Sequence, residues 1–238
     1  MFNFSSQVVM VTGAAGNLGQ AVARAFRASG AHLVCVDRAS DRLGHIYPEW
    51  TNLPGVYLAA PYDIMDPESV KTLVTRVVAH FGHLDIVVNT VGGYKAGTPI
   101  QQTPLEVFDS MIMLNARSAF LISQAVVPVM IQHGSGKIIH VAAKAGQVGL
   151  ANGSAYSAAK SAVIRITESL AAEVKDKGIN VNCVIPGTID TPQNREMMPN
   201  GDPSRWVTPE AVADVILFLS SQEARAIHGA AIPVTGKG

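Results

Sequence analysis

The sequence predicts one α/β domain across residues 1–238, a doubly wound parallel β-sheet with helices on both faces. Three observations lead there. Short β-branched runs alternate with longer amphipathic stretches along the whole chain. Glycine or proline punctuates most of the junctions. No linker, repeat or low-complexity tract interrupts the pattern, and 238 residues are enough for one sizeable core. Strands that alternate with helices build right-handed βαβ units, and so a sheet covered on both sides.

The elements follow in order. "QVVMVTG" (residues 7–13) reads as a buried strand ending in glycine. "NLGQAVARAFRASG" has apolar residues at Leu18, Val22, Ala25 and Phe26 and stops at Gly30, as an amphipathic helix does. "AHLVCVD" is the second strand and "VYLAAPYD" a shorter third. "PESVKTLVTRVVAHFG" is a helix with proline in its first turn and glycine after its last. "LDIVVNTVGG" is the fourth strand, and residues 103–134 form a long helical run that Pro128 is expected to bend. "GKIIHVAA" is the fifth strand, "SAYSAAKSAVIRITESLAAEVKDKG" a helix and "INVNCVIPG" the sixth strand. "TPEAVADVILFLSS" is the last helix and "GAAIPVTG" the last strand. The least regular stretch, residues 188–206, follows a strand's carboxyl end, where open sheets bind ligands, and reads as a short substrate loop.

Composition narrows the function. Eighteen basic and 18 acidic side chains leave no net charge, and only 15% of residues are charged. Nucleic-acid and anionic-membrane surfaces need basic clusters, so neither is expected. Hydrophobic residues make up 48%, which suggests apolar surface buried between subunits of a homo-oligomer, a dimer or tetramer. Cys35 and Cys183 lie in apolar runs and read as buried free thiols. The N-terminal stretch has no basic leader, and its apolar run stops at Gly13, so a cytoplasmic location is expected. No metal site is read from the sequence.

Between the first strand and first helix, "TGAAGNLG" places Gly13, Gly16 and Gly19 at G-x-x-G-x-x-G spacing, with Asn17 and Leu18 between them. Such glycines allow a tight turn and let backbone amides approach a pyrophosphate at a helix N-terminus. Asp37 ends the next strand, 18 residues beyond Gly19. A carboxylate there accepts both adenosine-ribose hydroxyls and repels a 2′-phosphate, which favours NAD(H). Arg38 follows and would pair with such a phosphate, so NADP(H) stays open. Asp37 weighs more because no basic residue lies in the glycine loop. Asp63 is placed beside the adenine. Asn89 and Gly92 are placed along the ribose or nicotinamide.

"YSAAK" puts Tyr156 and Lys160 four apart, on one face of a helix. A phenol with a pKa of about 10 is a poor base at neutral pH. A nearby ammonium is expected to lower that pKa and make proton exchange feasible.

With "TGAAGNLG", "NTVGG", Asn115 in "MLNARSAF", "YSAAK" and "VIPGTIDT" in this order, the chain resembles the short-chain dehydrogenase/reductase family over nearly its whole length. The resemblance implies a Rossmann-like domain that uses NAD or NADP on a small-molecule substrate. It gives Tyr156 the role of proton donor or acceptor. Lys160 would hold the nicotinamide ribose and tune Tyr156, and Asn115 would hold a water linking the lysine to solvent. Pro186, Gly187, Thr188 and Thr191 would border the carboxamide.

One position departs from the family. Where it usually has a serine that hydrogen-bonds the substrate carbonyl, this chain has Ala143. Loss of one such donor typically costs ~10²–10³ in turnover. The dihydropteridine reductases resemble this chain in the departure itself. They share Ala-Lys, as in Ala143–Lys144, and a segment like "DTPQNREMMP" followed by a tryptophan, here Trp206. They use NADH to reduce a quinonoid dihydropterin. Two other readings stay open. One is a carbonyl or alcohol dehydrogenase that replaces the serine with Ser154, Gln147 or a water. The other is an NAD-binding regulatory protein whose catalysis has decayed. Lys144 either faces substrate or is a solvated loop lysine. Trp206 either walls the site or packs in the core.

Overall fold

A computed structural model describes residues 2–237. Seven strands form one sheet: β1 (Val8–Thr12), β2 (His32–Val36), β3 (Val56–Ala59), β4 (Ile86–Asn89), β5 (Gly136–Val141), β6 (Ile179–Pro186) and β7 (Ala231–Val234). Their spatial order is β3-β2-β1-β4-β5-β6-β7, and every pairing is parallel. The order reverses between β1 and β4, which opens a crevice beyond their carboxyl ends.

The helices are α1 (Asn17–Ala28), α2 (Arg42–Ile46), α3 (Pro67–Phe81), α4 (Leu105–Met111), α5 (Ser118–His133), α6 (Ser154–Val174), α7 (Pro192–Met197) and α8 (Pro209–Ser220). Period-two alternation divides the core. Val9 and Val11 of β1 join Leu33, Ile86 and Val184 under the layer that holds α1 and α8. Val8 and Met10 face the other way, with Val34, Val87 and Ile138, under α3 and α5. Both faces of each central strand are therefore dry, and the runs are continuously apolar. Phe26 of α1 is fully buried against Phe4, ring centroids 4.9 Å apart. Truncating it to alanine would cost ~3–5 kcal/mol.

Start and stop signals act as the sequence suggests. Asp66 caps α3 by accepting from the Glu68 and Ser69 amides, and Gly82 ends it at φ +84°. Pro128 lies inside α5, and the helix continues through it. An irregularity not foreseen comes earlier, where Ile112–Arg117 form a π-helical turn between α4 and α5. The extra residue of the π turn is what resets the phase of the run.

The loop over 188–206 is partly ordered by its own structure. Its ends are pinned together, Val207 N–H donating to Thr188 O and Asp190 N–H to Val207 O. Within it lies α7, capped by Thr191, and Arg195 grips Asp190 with two donors, Nε and Nη2, at 2.6 and 2.8 Å. Trp206 is half-buried. A Cβ on Gly201 would sit 2.5 Å from Trp206 Cζ2, so the indole packs on its own loop.

Candidate active site

The cofactor end is shaped by backbone. Gly13 adopts φ +69° and Gly16 N–H closes back on Gly13 O at 2.9 Å. A Cβ on Gly19 would stand 2.2 Å from Gly13 O, so no other residue fits there without a shift. Gly16 caps α1 with no side-chain acceptor, and the first turn has no acidic residue. The first-turn amides are thus free to meet an anion, with the helix dipole behind them. Asn17 opens α1 and reaches Gln193 of α7 at 2.6 Å, joining the glycine loop to the substrate loop. Leu18 packs onto the core and holds the turn.

Past this turn lies a cleft of about 230 Å³ lined by Gly13, Gly16, Asp37, Asp63 and Gly92 among others. Asp37 is 8% exposed, and its Oδ1 accepts the Ala39 amide at 2.9 Å. Its Oδ2 has only Arg42 Nη1 nearby, at 4.0 Å. Asp63 is exposed and its Oδ1 accepts the Met65 amide. Arg42 was not foreseen from the sequence. It lines the same cleft as Arg38 and reaches Ala15 O at 3.4 Å. Asn89 departs from its expected place. It is 3% exposed, and its Oδ1 accepts from Thr12 Oγ1 at 2.6 Å and Val91 N at 3.3 Å. Its side chain therefore locks β4 to β1, and the lining of the cleft passes to Thr90, Val91 and Gly92.

The reacting end gathers side chains from separate elements. The π turn carries Asn115, which is 1% exposed. Its Nδ2 donates to Met111 O at 2.9 Å and Gly93 O at 3.1 Å, and its Oδ1 accepts the Gly93 amide at 3.2 Å. A Cβ on Gly92 would meet Asn115 Oδ1 at 2.7 Å and Lys160 Nζ at 3.2 Å, so both groups press on that glycine. Lys160 is buried, donates to Val141 O at 2.9 Å, and lies 5.9 Å from the centre of the Tyr156 ring. Asn115, Tyr156 and Lys160 are thus brought together as expected. Pro186 ends β6, Gly187 donates to Val234 O at 3.0 Å, and Thr188 and Thr191 begin the loop beyond. The Thr191 hydroxyl accepts the Asn194 amide and is engaged as a helix cap.

The expected lowering of the Tyr156 pKa is not what this arrangement produces. Burial raises it to about 12, with Tyr94 adding to the rise. Burial also lowers Lys160 to about 8. The ammonium is turned to a carbonyl and is itself desolvated, so it does not draw out the phenolate. Two residues here escaped the sequence reading. His140 on β5 is fully buried, bonded through Nε2 to Ser123 Oγ at 3.0 Å. Burial and Lys160 lower its pKa to about 4, so it stays neutral. Tyr94, on the loop after β4, meets Tyr156 edge-to-face at 4.9 Å. Only side chains that meet in space reveal either role.

Ala143 occupies a well-defined place. Its carbonyl accepts the Gly146 amide at 2.8 Å. A Cβ on Gly146 would lie 2.7 Å from Lys160 C, and Ser161 Oγ donates to Gly146 O at 2.8 Å. The turn that carries Ala143 is therefore clamped onto α6 beside Lys160. Ala143 brings no hydroxyl to this place.

Comparison with known proteins agrees with this fold. Residues 7–201 match the family model for short chain dehydrogenase. The chain is 32% identical to the 3-oxoacyl-[acyl-carrier-protein] reductase of Thermotoga maritima, over 97% of this chain and 96% of that one. It is 30% identical to the 7alpha-hydroxysteroid dehydrogenase of Bacteroides fragilis, over 99% and 95%. Among solved structures, an NAD+-bound xylitol dehydrogenase superposes with a TM-score of 0.90 at 26% identity, covering 98% of this chain and 99% of that one. A glycine turn, a half-buried tyrosine and a buried lysine on one helix, and an asparagine set in a π turn thus occur in a chain that belongs to the short-chain dehydrogenase family.

Proposed function

We propose that the protein is an NAD(H)-dependent reductase of a flat, conjugated small molecule, with a quinonoid dihydropterin as the leading candidate. The observation that carries this is the clamped turn at Ala143: everything around the missing hydroxyl is in place, and the hydroxyl is not. A ketone oxygen left without that donor would lose ~10²–10³ in turnover. A ring whose nitrogen takes the proton does not need it.

The residues fit the cofactor. The free amides at the start of α1 suit a pyrophosphate, and Asp37 Oδ2 is available to ribose hydroxyls. When bound, the dihydronicotinamide supplies the hydride. Tyr156, held protonated by its pKa of about 12, donates the proton at its hydroxyl. Lys160 is positioned by Val141 O and Gly92 to hold the ribose, and Asn115 fixes the Gly92–Gly93 backbone beneath it. Asp37 favours NADH over NADPH. Arg38 and Arg42 in the same cleft limit how strong that preference is.

A second reading is supported by the relatives. The 3-oxoacyl reductase and the hydroxysteroid dehydrogenase both bear names of ketone or alcohol enzymes. In that reading an exposed Ser154 or Gln147, or a water, replaces the lost donor. A decayed NAD-binding regulator is disfavoured by the joint presence of Asn115, Tyr156 and Lys160. The deciding experiment compares kcat/KM with NADH for a quinonoid dihydropterin and for a ketone panel that includes 3-oxoacyl esters. Brisk ketone reduction without pterin reduction would replace the first reading with the second.

We further propose that the protein is a cytoplasmic homo-oligomer. Leu105, Phe108 and Phe120 are 68%, 42% and 52% exposed on the α4–α5 segment, and a second copy is the partner we assign to that face. Sedimentation of Phe120→Glu, expected to shift toward monomer, checks it.

A further inference from the structure

The loop after β4 carries an aromatic side chain that the steps above leave idle. Tyr94 is 52% exposed, yet its ring is not loose. It meets the Tyr156 ring with centroids 4.9 Å apart and planes at 83°. The backbone before it is gripped twice by Asn115, through Gly93 N and Gly93 O. The backbone after it is tied to the segment that precedes α6, Gly97 N–H donating to Asn152 O at 2.7 Å. A half-exposed ring is thus held from both ends against the acid of the reaction, with about half of its surface left to solvent. Exposed aromatic faces beside a reacting group are suited to stacking, which every π-system offers regardless of its substituents.

We propose that Tyr94 is the substrate-positioning residue of this site, the wall on which a flat conjugated ring lies while Tyr156 delivers its proton. The inference rests on the function proposed above and names how that substrate is held. A ring stacked parallel to Tyr94 stands at nearly a right angle to the Tyr156 ring. Orientation by a face then takes the place of orientation by the hydroxyl that position 143 lacks. An aliphatic ketone has no face to offer and gains little from the wall.

The test uses Tyr94→Leu and Tyr94→Phe in the full chain. Each is assayed with NADH on a quinonoid dihydropterin, a 3-oxoacyl ester, an aryl ketone and an alkyl ketone. For Tyr94→Leu we expect KM for the flat substrates to rise about tenfold, with kcat changed less than about twofold. KM for the alkyl substrates should hold, and thermal stability should be unaltered. Tyr94→Phe should restore the wild-type KM, because the ring is what matters. Equal losses on flat and alkyl substrates would overturn the proposal, as would a Phe variant as impaired as the Leu variant. If the wild type ignores the dihydropterin but reduces ketones, the substrate assignment fails, and the aryl/alkyl pair still judges Tyr94. A wild type that reduces none of the four overturns both.

Discussion

The adenosine end and the reacting end of the crevice lie at the same edge of the sheet and are built by opposite means. The first is backbone: three glycines, free helix amides and one carboxylate at a strand end. Its one carboxylate, Asp37, is buried and set by a short turn to Ala39. The second is side chains drawn from a π turn, two loops and α6, and burial governs their protonation. The contrast teaches that binding and chemistry here are separable. Changes at one end should leave the other nearly untouched.

The most severe test of that separation is Tyr156→Phe. Removing the proposed proton donor should cost ~10²–10⁴ in kcat, with the NADH dissociation constant within a few-fold by fluorescence titration. A large loss of NADH affinity would show that the ends are coupled. Ala143→Ser comes next. The clamped turn should accept the hydroxyl, and ketone activity should rise by up to ~10²–10³ without a gain on the dihydropterin. A serine variant that gains nothing on ketones would mean another group already fills that role. Asp37→Asn is expected to be gentler. It removes the charge that disfavours a 2′-phosphate, so the NADH/NADPH preference should fall by about one decade, a change of ~1.4 kcal/mol, with kcat at saturating NADH unchanged.

The smallest effect concerns pH and stability. Lys160 has an ordinary value of 10.5 and about 8 in the fold. Between these values the unfolded chain binds the extra proton, so stability rises with pH as Lys160 is released from charge. Cys35 and Cys183, raised from 9.0 to about 12 and about 11, act the other way from about pH 8 upward and offset most of that gain in the wild type. The Lys160 contribution is therefore read as a difference: between pH 8 and 9, denaturant unfolding should show wild-type stability changing by ~1 kcal/mol more favourably than that of Lys160→Met, which keeps both cysteines. Identical pH dependence in the two proteins would remove Lys160 as its source.

What the sequence made legible divides along the same line. The glycine turn, Asp37 and the Tyr156/Lys160 spacing are local, and local chemistry reads directly from residue order. The parallel sheet was legible too, because strands dry on both faces leave unbroken apolar runs. Asn89 was legible only in part, because its carboxamide oxygen is held by Thr12, 77 positions away in the chain. The π turn in the 103–134 run was not legible, because it has no residue signature of its own. The expectation for Tyr156 failed because spacing says which side chains share a face, not how dry that face is. Tyr94, Arg42 and His140 acquire meaning only from partners that folding brings to them.

The π-helical turn at 112–117 also sets an antagonism between the helix and its cargo. A deletion of one residue there would let α4 and α5 merge into a single uninterrupted α-helix with better backbone geometry. It would also rotate everything on one side of the repair by about 100° relative to the other, carrying Asn115 away from Gly93. Such a shortened chain should melt no lower than its parent while losing the grip that shapes the catalytic floor. The turn is thus a standing frustration, kept where relief would silence the enzyme.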